Sequence, residues 1–213
     1  MGSFKPGDPA AVEALFDQIA PRYDLLNDLL SLGLHRVWKR QAVAWLQPRP
    51  GQRLIDLCCG TGDLALVLAP KVRPGGVVVG IDAAGAPLQV AAGRSARQHW
   101  LNIHWQQGDA LATGLPAASF DGAVMAYGLR NLVDPGQGLR ELRRLLKPGG
   151  RAAVLDFNRP DPGLPGAELT ASFQRFYLRR LVVPAAERFG ARENYAYLEA
   201  SLETFPTGAA QQQ

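Results

Sequence analysis

The stretch Asp56-Leu57-Cys58-Cys59-Gly60-Thr61-Gly62-Asp63 constrains this chain more than any other. Arg53-Leu54-Ile55 opens a short apolar segment of strand type before it, and Leu64-Ala65-Leu66-Val67-Leu68-Ala69 reads as a helix after it. Gly60 and Gly62 therefore sit at a strand-to-helix turn. Glycine there permits φ > 0 and lets the backbone pass close to a ligand. In a doubly wound sheet such a turn lies at the carboxyl end of a strand, where ligands bind.

The chain beyond the turn alternates in the same sense. Pro74-Gly75-Gly76 turns into a strand Val77-Val78-Val79-Gly80-Ile81, which ends at Asp82. Pro87 opens a helix through about Gln98, and a third strand near Asn102-Ile103-His104-Trp105 ends at Gly108-Asp109. Gly122-Ala123-Val124-Met125-Ala126 is a fourth strand, ending at Tyr127-Gly128. Asp134-Pro135 starts a helix carrying Leu139, Leu142, Leu145 and Leu146. Lys147-Pro148-Gly149-Gly150 stops it, and Ala152-Ala153-Val154-Leu155 is a fifth strand. Such β-α alternation predicts an α/β fold, a parallel sheet with helices on both faces.

Residues 1–48 read as an N-terminal helical cap, 49–158 as the core, and 159–213 as a helical C-terminal segment on the substrate side. In the cap, Val12, Leu15, Phe16 and Ile19 fall at helical spacing, and Asp24 and Gly33 bracket a second short helix. Trp38, Ala42 and Trp45 line one face of a third helix, which ends before Pro48. The cap either stands beside the mouth of the site as a lid or packs against the sheet. After a Pro- and Gly-rich loop at 159–166, helical patterns run over 168–182 and 193–205.

Composition excludes several classes. With 213 residues, 47% hydrophobic and 20% charged, the chain suits one globular domain with an elaboration. A net charge of +4 is too mild for a dedicated nucleic-acid binder. The two cysteines are adjacent, which gives no disulfide framework and points to a reducing compartment. Two adjacent thiols without further ligands do not make a zinc site either, so no metal is expected. No apolar run is long enough to span a bilayer. A cytoplasmic protein, either free or in peripheral contact with a membrane, is the expectation.

A glycine turn followed about 20 residues later by an acid is a recipe for holding a ribose, and Asp82 is the natural hydroxyl acceptor. A nicotinamide enzyme is one reading. Its fingerprint wants a third glycine where Ala65 stands, and Asp63 at the helix start would repel a pyrophosphate. Asp56 and Asp63 instead suit a cationic ligand such as S-adenosylmethionine.

Further blocks carry a family resemblance. Tyr23-Asp24-Leu25-Leu26-Asn27-Asp28-Leu29-Leu30-Ser31-Leu32-Gly33-Leu34-His35-Arg36-Val37-Trp38, Gly128-Leu129-Arg130-Asn131, Leu146-Lys147-Pro148-Gly149-Gly150, and Tyr195-Ala196-Tyr197-Leu198 with Phe205-Pro206 stand out. Together they resemble the UbiE/MenG family of quinone C-methyltransferases, although Leu26 stands where Met is usual. The resemblance implies a Rossmann-like class I sheet that binds S-adenosylmethionine, and a prenylated or phytylated quinol as acceptor. It implies cofactor contacts at Thr61 in the turn and at Asp82 on the ribose; the turn itself makes Asp56, Gly60 and Gly62 cofactor-binding candidates beside them. Asp109 and Ala110 would hold the adenine. Ala126, where many relatives have Ser, would make contact through its backbone. Leu155-Asp156-Phe157-Asn158-Arg159-Pro160 is similar to the plant and cyanobacterial branch, which implies phylloquinone rather than menaquinone synthesis. Another quinol or lipid acceptor, or a cofactor-binding module without activity, stays open.

Methylation at ring carbon needs an electron-rich acceptor, so the reduced quinol is expected, helped by a group that takes the phenolic proton. His35, Tyr127 and Asp156 are the candidates, and Arg130 follows the same strand as Tyr127. Arg175, Arg179 and Arg180 beside Phe173, Phe176, Tyr177 and Leu181 make either a lipid-facing helix or one with a solvated basic face. Enzymes with this sheet close it with two more strands. No strand pattern follows Phe205-Pro206, so the sequence predicts a form lacking them, with the edge of strand five uncovered.

Overall fold

The computed structural model describes residues 33–157, 161, 163–177, 179–180, 184 and 205. The first two helices of the cap, most of the family block over 23–38, and the helical pattern at 193–205 apart from Phe205 lie outside the described residues. By its contacts the chain divides into two units. Asp156 is the last residue of the larger, and Phe157 onward belongs to the other.

In the larger unit the elements are α1 (Leu34–Leu46), β1 (Arg53–Leu57), α2 (Asp63–Leu68), β2 (Val77–Asp82), α3 (Gly85–Ala96), β3 (Ile103–Gln107), β4 (Phe120–Ala126), α4 (Pro135–Leu145) and β5 (Leu146–Leu155). Short 3-10 turns occupy Ala69–Val72 and Leu129–Asn131. The five strands form one sheet in the order β3-β2-β1-β4-β5, and every pairing is parallel. The expected α/β sheet is therefore present.

Burial follows position in the sheet. In β1 every residue after Arg53 is buried, as a strand covered on both faces requires. Three consecutive valines open β2, and β-branched side chains fit a pleated, crowded surface. At the edge, β3 alternates instead: Ile103 and Trp105 are half-buried while His104 and Gln106 are exposed. Val43, Leu46, Leu54, Leu64, Leu68, Val78 and Val124 belong to one apolar cluster. Each large aliphatic side chain buried there contributes about 1.5–3 kcal/mol.

Two local expectations change. In α1 the buried stripe is His35, Val43 and Leu46, while Trp45 is 58% exposed. The helix is registered by its aliphatic residues. Leu46 fills room left by the missing side chain of Gly122, whose Cβ would stand 3.1 Å from Leu46 Cδ1. β5 begins at Leu146 rather than Ala152 because Leu146 pairs with Phe120. The register then jumps to Gly122 opposite Arg151, so Lys147-Pro148-Gly149-Gly150 forms an irregularity within the strand. α4 starts where expected: the Asp134 side chain accepts the N–H of Gln137 at 2.8 Å, and Pro135 takes the first turn.

In the other unit, α5 (Ala167–Tyr177) carries Leu169, Phe173 and Phe176 at helical spacing, all exposed. Phe173 and Tyr177 stack with ring centroids 6.2 Å apart. Among the described residues no helix is long and apolar enough to cross a membrane.

Candidate active site

Strand order reverses between β1 and β4. The loops after β1, β2, β3 and β4 all emerge at the carboxyl ends of these strands, and they surround a cavity of about 360 Å³. The turn after β1 is built from left-handed residues: Cys58 at φ 55°, Gly60 at 52° and Gly62 at 84°. It is tied to β2 by two bonds. Cys59 N donates to Ile81 O at 3.0 Å, and Gly60 N donates to Asp82 Oδ2 at 2.7 Å. Ala84 N donates to Asp82 Oδ1 at 3.0 Å.

Gly60 and Gly62 serve different purposes. A Cβ on Gly60 would meet nothing within 4 Å, so this residue borders open space. A Cβ on Gly62 would lie 2.4 Å from the Trp105 ring, whose Nε1 donates to Ser95 Oγ at 3.0 Å. Gly62 thus shapes the turn from behind, against β3 and α3, and is not a cavity-lining residue.

The charges around the turn differ from the expectation that its acids await a cationic ligand. Asp63 is already answered twice, by Lys39 Nζ from α1 at 2.8 Å and by Arg94 Nη1 from α3 at 2.8 Å. Burial works against its ionisation, but Lys39 and Arg94 outweigh it and hold the carboxyl below the usual range. Arg94 Nη1 also donates to Thr61 O at 3.0 Å and Thr61 Oγ1 at 3.2 Å. Neither cation could be matched to Asp63 from sequence, because the partners come from separate helices.

Asp56 is buried within β1, and its Oδ2 accepts the N–H of Ala65 at 3.0 Å. Burial pushes its carboxyl from 3.8 up to about 8, with Ala65 and Lys39 opposing and Asp82 and Asp63 reinforcing. The folded protein therefore keeps a proton that the unfolded chain releases. This contribution to stability is full below the unfolded value of 3.8 and is lost as pH rises toward about 8. The slope is about 1.4 kcal/mol per pH unit in that window. Asp56→Asn keeps the shape and an acceptor for Ala65 N but has no proton to lose. Urea melts of both proteins between about pH 5 and pH 8 should show the wild type weakening with pH relative to the variant. Parallel curves would contradict the assignment. Glu141, held down to about 2 by Arg144 and Thr113, titrates below this window.

At the end of β4, Tyr127 is held at φ 60°, a strained value for a residue with a side chain. Its N–H donates to Leu155 O at 2.7 Å, and its carbonyl accepts from Arg130 Nη1 at 3.0 Å and Asn131 Nδ2 at 3.1 Å. Arg130 is gripped by Asp156, with Nη1 2.5 Å from Oδ1 and the Arg130 N–H 3.1 Å from Oδ2. Asn131 Oδ1 is buried with no hydrogen-bond partner among the described residues. After β3, Asp109 Oδ1 accepts the N–H of Leu111 at 2.8 Å, and its Oδ2 takes no hydrogen bond from a described residue.

Of the residues singled out from sequence, Asp56, Gly60, Thr61, Asp82, Asp109, Ala110, Ala126 and Tyr127 line this one cavity. His35 is buried in α1 and Asp156 lies behind Arg130; neither is a lining residue. Burial pushes both cysteine thiols up, with Asp82 and Asp56 reinforcing, so Cys58 and Cys59 are protonated small residues beside the turn. Sequence reasoning missed Lys39, Arg94 and Asn131. The strain at Tyr127 and Cys58 had no sequence signal, since neither is a residue type that favours a positive φ.

A parallel sheet that reverses beside a glycine turn, with acids at the end of its second strand and just past its third, defines a doubly wound α/β fold with a ligand-sized cavity at its switch point. A crystal structure described as a SAM-dependent methyltransferase from Aquifex aeolicus shares this fold, with a TM-score of 0.53 over 70% of this chain and 78% of that one, at 22% identity. The profile of the ubiE/COQ5 methyltransferase family matches residues 5–212, and the chain belongs to that family. It is 53% identical over 205 residues to the 2-phytyl-1,4-naphtoquinone methyltransferase of Synechococcus elongatus, covering 95% of this chain and 85% of that protein. It is 43% identical to the chloroplastic 2-phytyl-1,4-beta-naphthoquinone methyltransferase of Arabidopsis thaliana, over 91% of this chain and 74% of that one. The expected family and the methyltransferase class stand on these matches.

Proposed function

We propose that this protein transfers a methyl group from S-adenosylmethionine to a ring carbon of a phytylated naphthoquinol, the last step in making phylloquinone. The likeness to the cyanobacterial enzyme over nearly the whole chain carries the choice of acceptor. The cavity supports the choice of cofactor. Asp82 beside the Gly60 turn suits ribose hydroxyls, and Asp109 Oδ2 suits an amino group on adenine. Gly60 leaves open the space a side chain would fill, and Asn131 Oδ1 is a buried acceptor in the same wall.

When bound, S-adenosylmethionine supplies a methyl group already activated on a sulfonium. The chain's own task is then to place the acceptor and to manage its proton. Tyr127 is the residue we assign to the acceptor's hydroxyl, because it lines the cavity and is fixed through its carbonyl by Arg130 and Asn131. Asp156 serves as a positioning residue by holding Arg130. His35 supports the packing of α1. Leu111, Leu132 and Val133 give the cavity an apolar rim that excludes water. The exposed stripe Leu169, Phe173 and Phe176, with Arg175 beside it, supports peripheral contact with the membrane that holds the acceptor's tail.

Transfer of labelled methyl to a panel of reduced quinones differing in head group and tail tests this reading. Phytylated naphthoquinol should be the best acceptor, and anionic vesicles carrying it should raise the rate more than neutral ones. Preference for a benzoquinol would move the protein to another acceptor. Cofactor binding with no transfer to any quinol would make it a binding module, and indifference to vesicle charge would remove the membrane contact.

A further inference from the structure

Lys39 is a partly buried cation in the cavity wall, with a side chain only 14% exposed. Its Nζ lies 2.8 Å from Asp63 Oδ2 and 5.9 Å from the centroid of the Tyr127 ring. An ammonium has three N–H donors, and those not given to Asp63 meet no acceptor among the described residues. An ammonium withdrawn from water is costly unless its charge and donors are answered.

Asp63 answers it only in part. The same carboxylate is shared with Arg94 at 2.8 Å, so Lys39 does not have it to itself. Asp56, the other acid nearby, is kept protonated at neutral pH by its burial and gives Lys39 no second carboxylate. The two ends of the cavity differ. The carboxylates of Asp82 and Asp109 stand at its β2 and β3 end, and the Lys39 ammonium stands beside the turn after β1 and the Tyr127 ring after β4.

A ligand laid along the strand ends with adenine after β3 and ribose after β2 sends its remaining arm toward β1 and β4. In S-adenosylmethionine that arm ends in an amino acid, whose carboxylate is the ligand's single negative group. We propose that Lys39 is the counter-ion of this α-carboxylate, bridging α1 to the bound ligand while Asp63 fixes its position. The inference rests on the S-adenosylmethionine reading of the cavity. It gives α1 a direct part in recognition, and it makes the protein discriminate against ligands that lack the carboxylate.

Calorimetric titration of the wild type, Lys39→Met and Lys39→Arg with S-adenosylmethionine and with its decarboxylated analogue tests this. The wild type should prefer the carboxylated ligand by about tenfold or more, the worth of a charge-assisted hydrogen bond. Lys39→Met should lose that preference through weaker binding of S-adenosylmethionine, with no weakening toward the analogue, and Lys39→Arg should restore most of it. If Lys39→Met fails to fold, Lys39→Gln is read in the same way. Equal weakening toward both ligands would overturn the proposal and leave Lys39 as a brace for the turn. A wild type that binds neither ligand would overturn the cofactor reading itself, a distinguishable result.

Discussion

The oxidised quinone should not be methylated by this protein, whereas the same molecule reduced to the hydroquinone should be. A ring carbon attacks an electrophilic methyl group only if the ring is electron-rich, and two hydroxyl groups make it so, most of all when one has lost its proton. Two carbonyls in the oxidised ring withdraw that density. Initial rates with quinone alone and with quinone plus a chemical reductant should differ by at least about a hundredfold, equivalent to a few kcal/mol of barrier. Equal rates would remove ring nucleophilicity as the basis of the reaction. The rate with hydroquinone should also rise with pH as the phenol ionises.

Asp82→Ala should weaken cofactor binding by about a hundredfold. The carboxylate has two tasks. It holds the glycine turn through Gly60 N and the start of the next loop through Ala84 N, and in the proposed complex it also accepts from the ribose hydroxyls. Each charge-assisted bond contributes about 1.5–3 kcal/mol. Loss of the ribose contacts alone accounts for the expected drop, and a loosened turn adds to it. Asp82→Asn should fall between wild type and Asp82→Ala, since its amide oxygen still accepts one of the two backbone donors. Calorimetry on all three, with melting curves as a control for folding, decides the matter. Unchanged affinity in Asp82→Ala would remove Asp82 from the ribose.

The β-α alternation and the glycine turn were legible because they rest on local signals. Apolar runs bounded by Gly, Pro and Asp give strands and helix starts, and Asp134-Pro135 marked the start of α4 in advance, whereas Lys147-Pro148-Gly149-Gly150 lies within β5. The acids at the ends of β2 and β3 were legible for the same reason. What was not legible depends on distant partners. Asp63 looked like an anionic group awaiting a cationic ligand, but Lys39 and Arg94 reach it from α1 and α3. The buried face of α1 was misread by one side of the helix, because Gly122 on β4 decides where Leu46 can fit. Arg130 was legible only as a residue that follows β4 beside Tyr127; its commitment to Asp156 and to the Tyr127 carbonyl joins two separate strand ends and has no local signal.

The most direct measurement is the product formed from phytylated naphthoquinol and S-adenosylmethionine under reducing conditions, followed by mass spectrometry and proton NMR. A product one methylene heavier, with the new methyl on the open carbon of the quinone ring and both oxygens unsubstituted, is the result expected. Methyl on oxygen, or recovery of unchanged acceptor beside a protein that binds the cofactor, would contradict the assignment of this protein as a carbon methyltransferase of naphthoquinols.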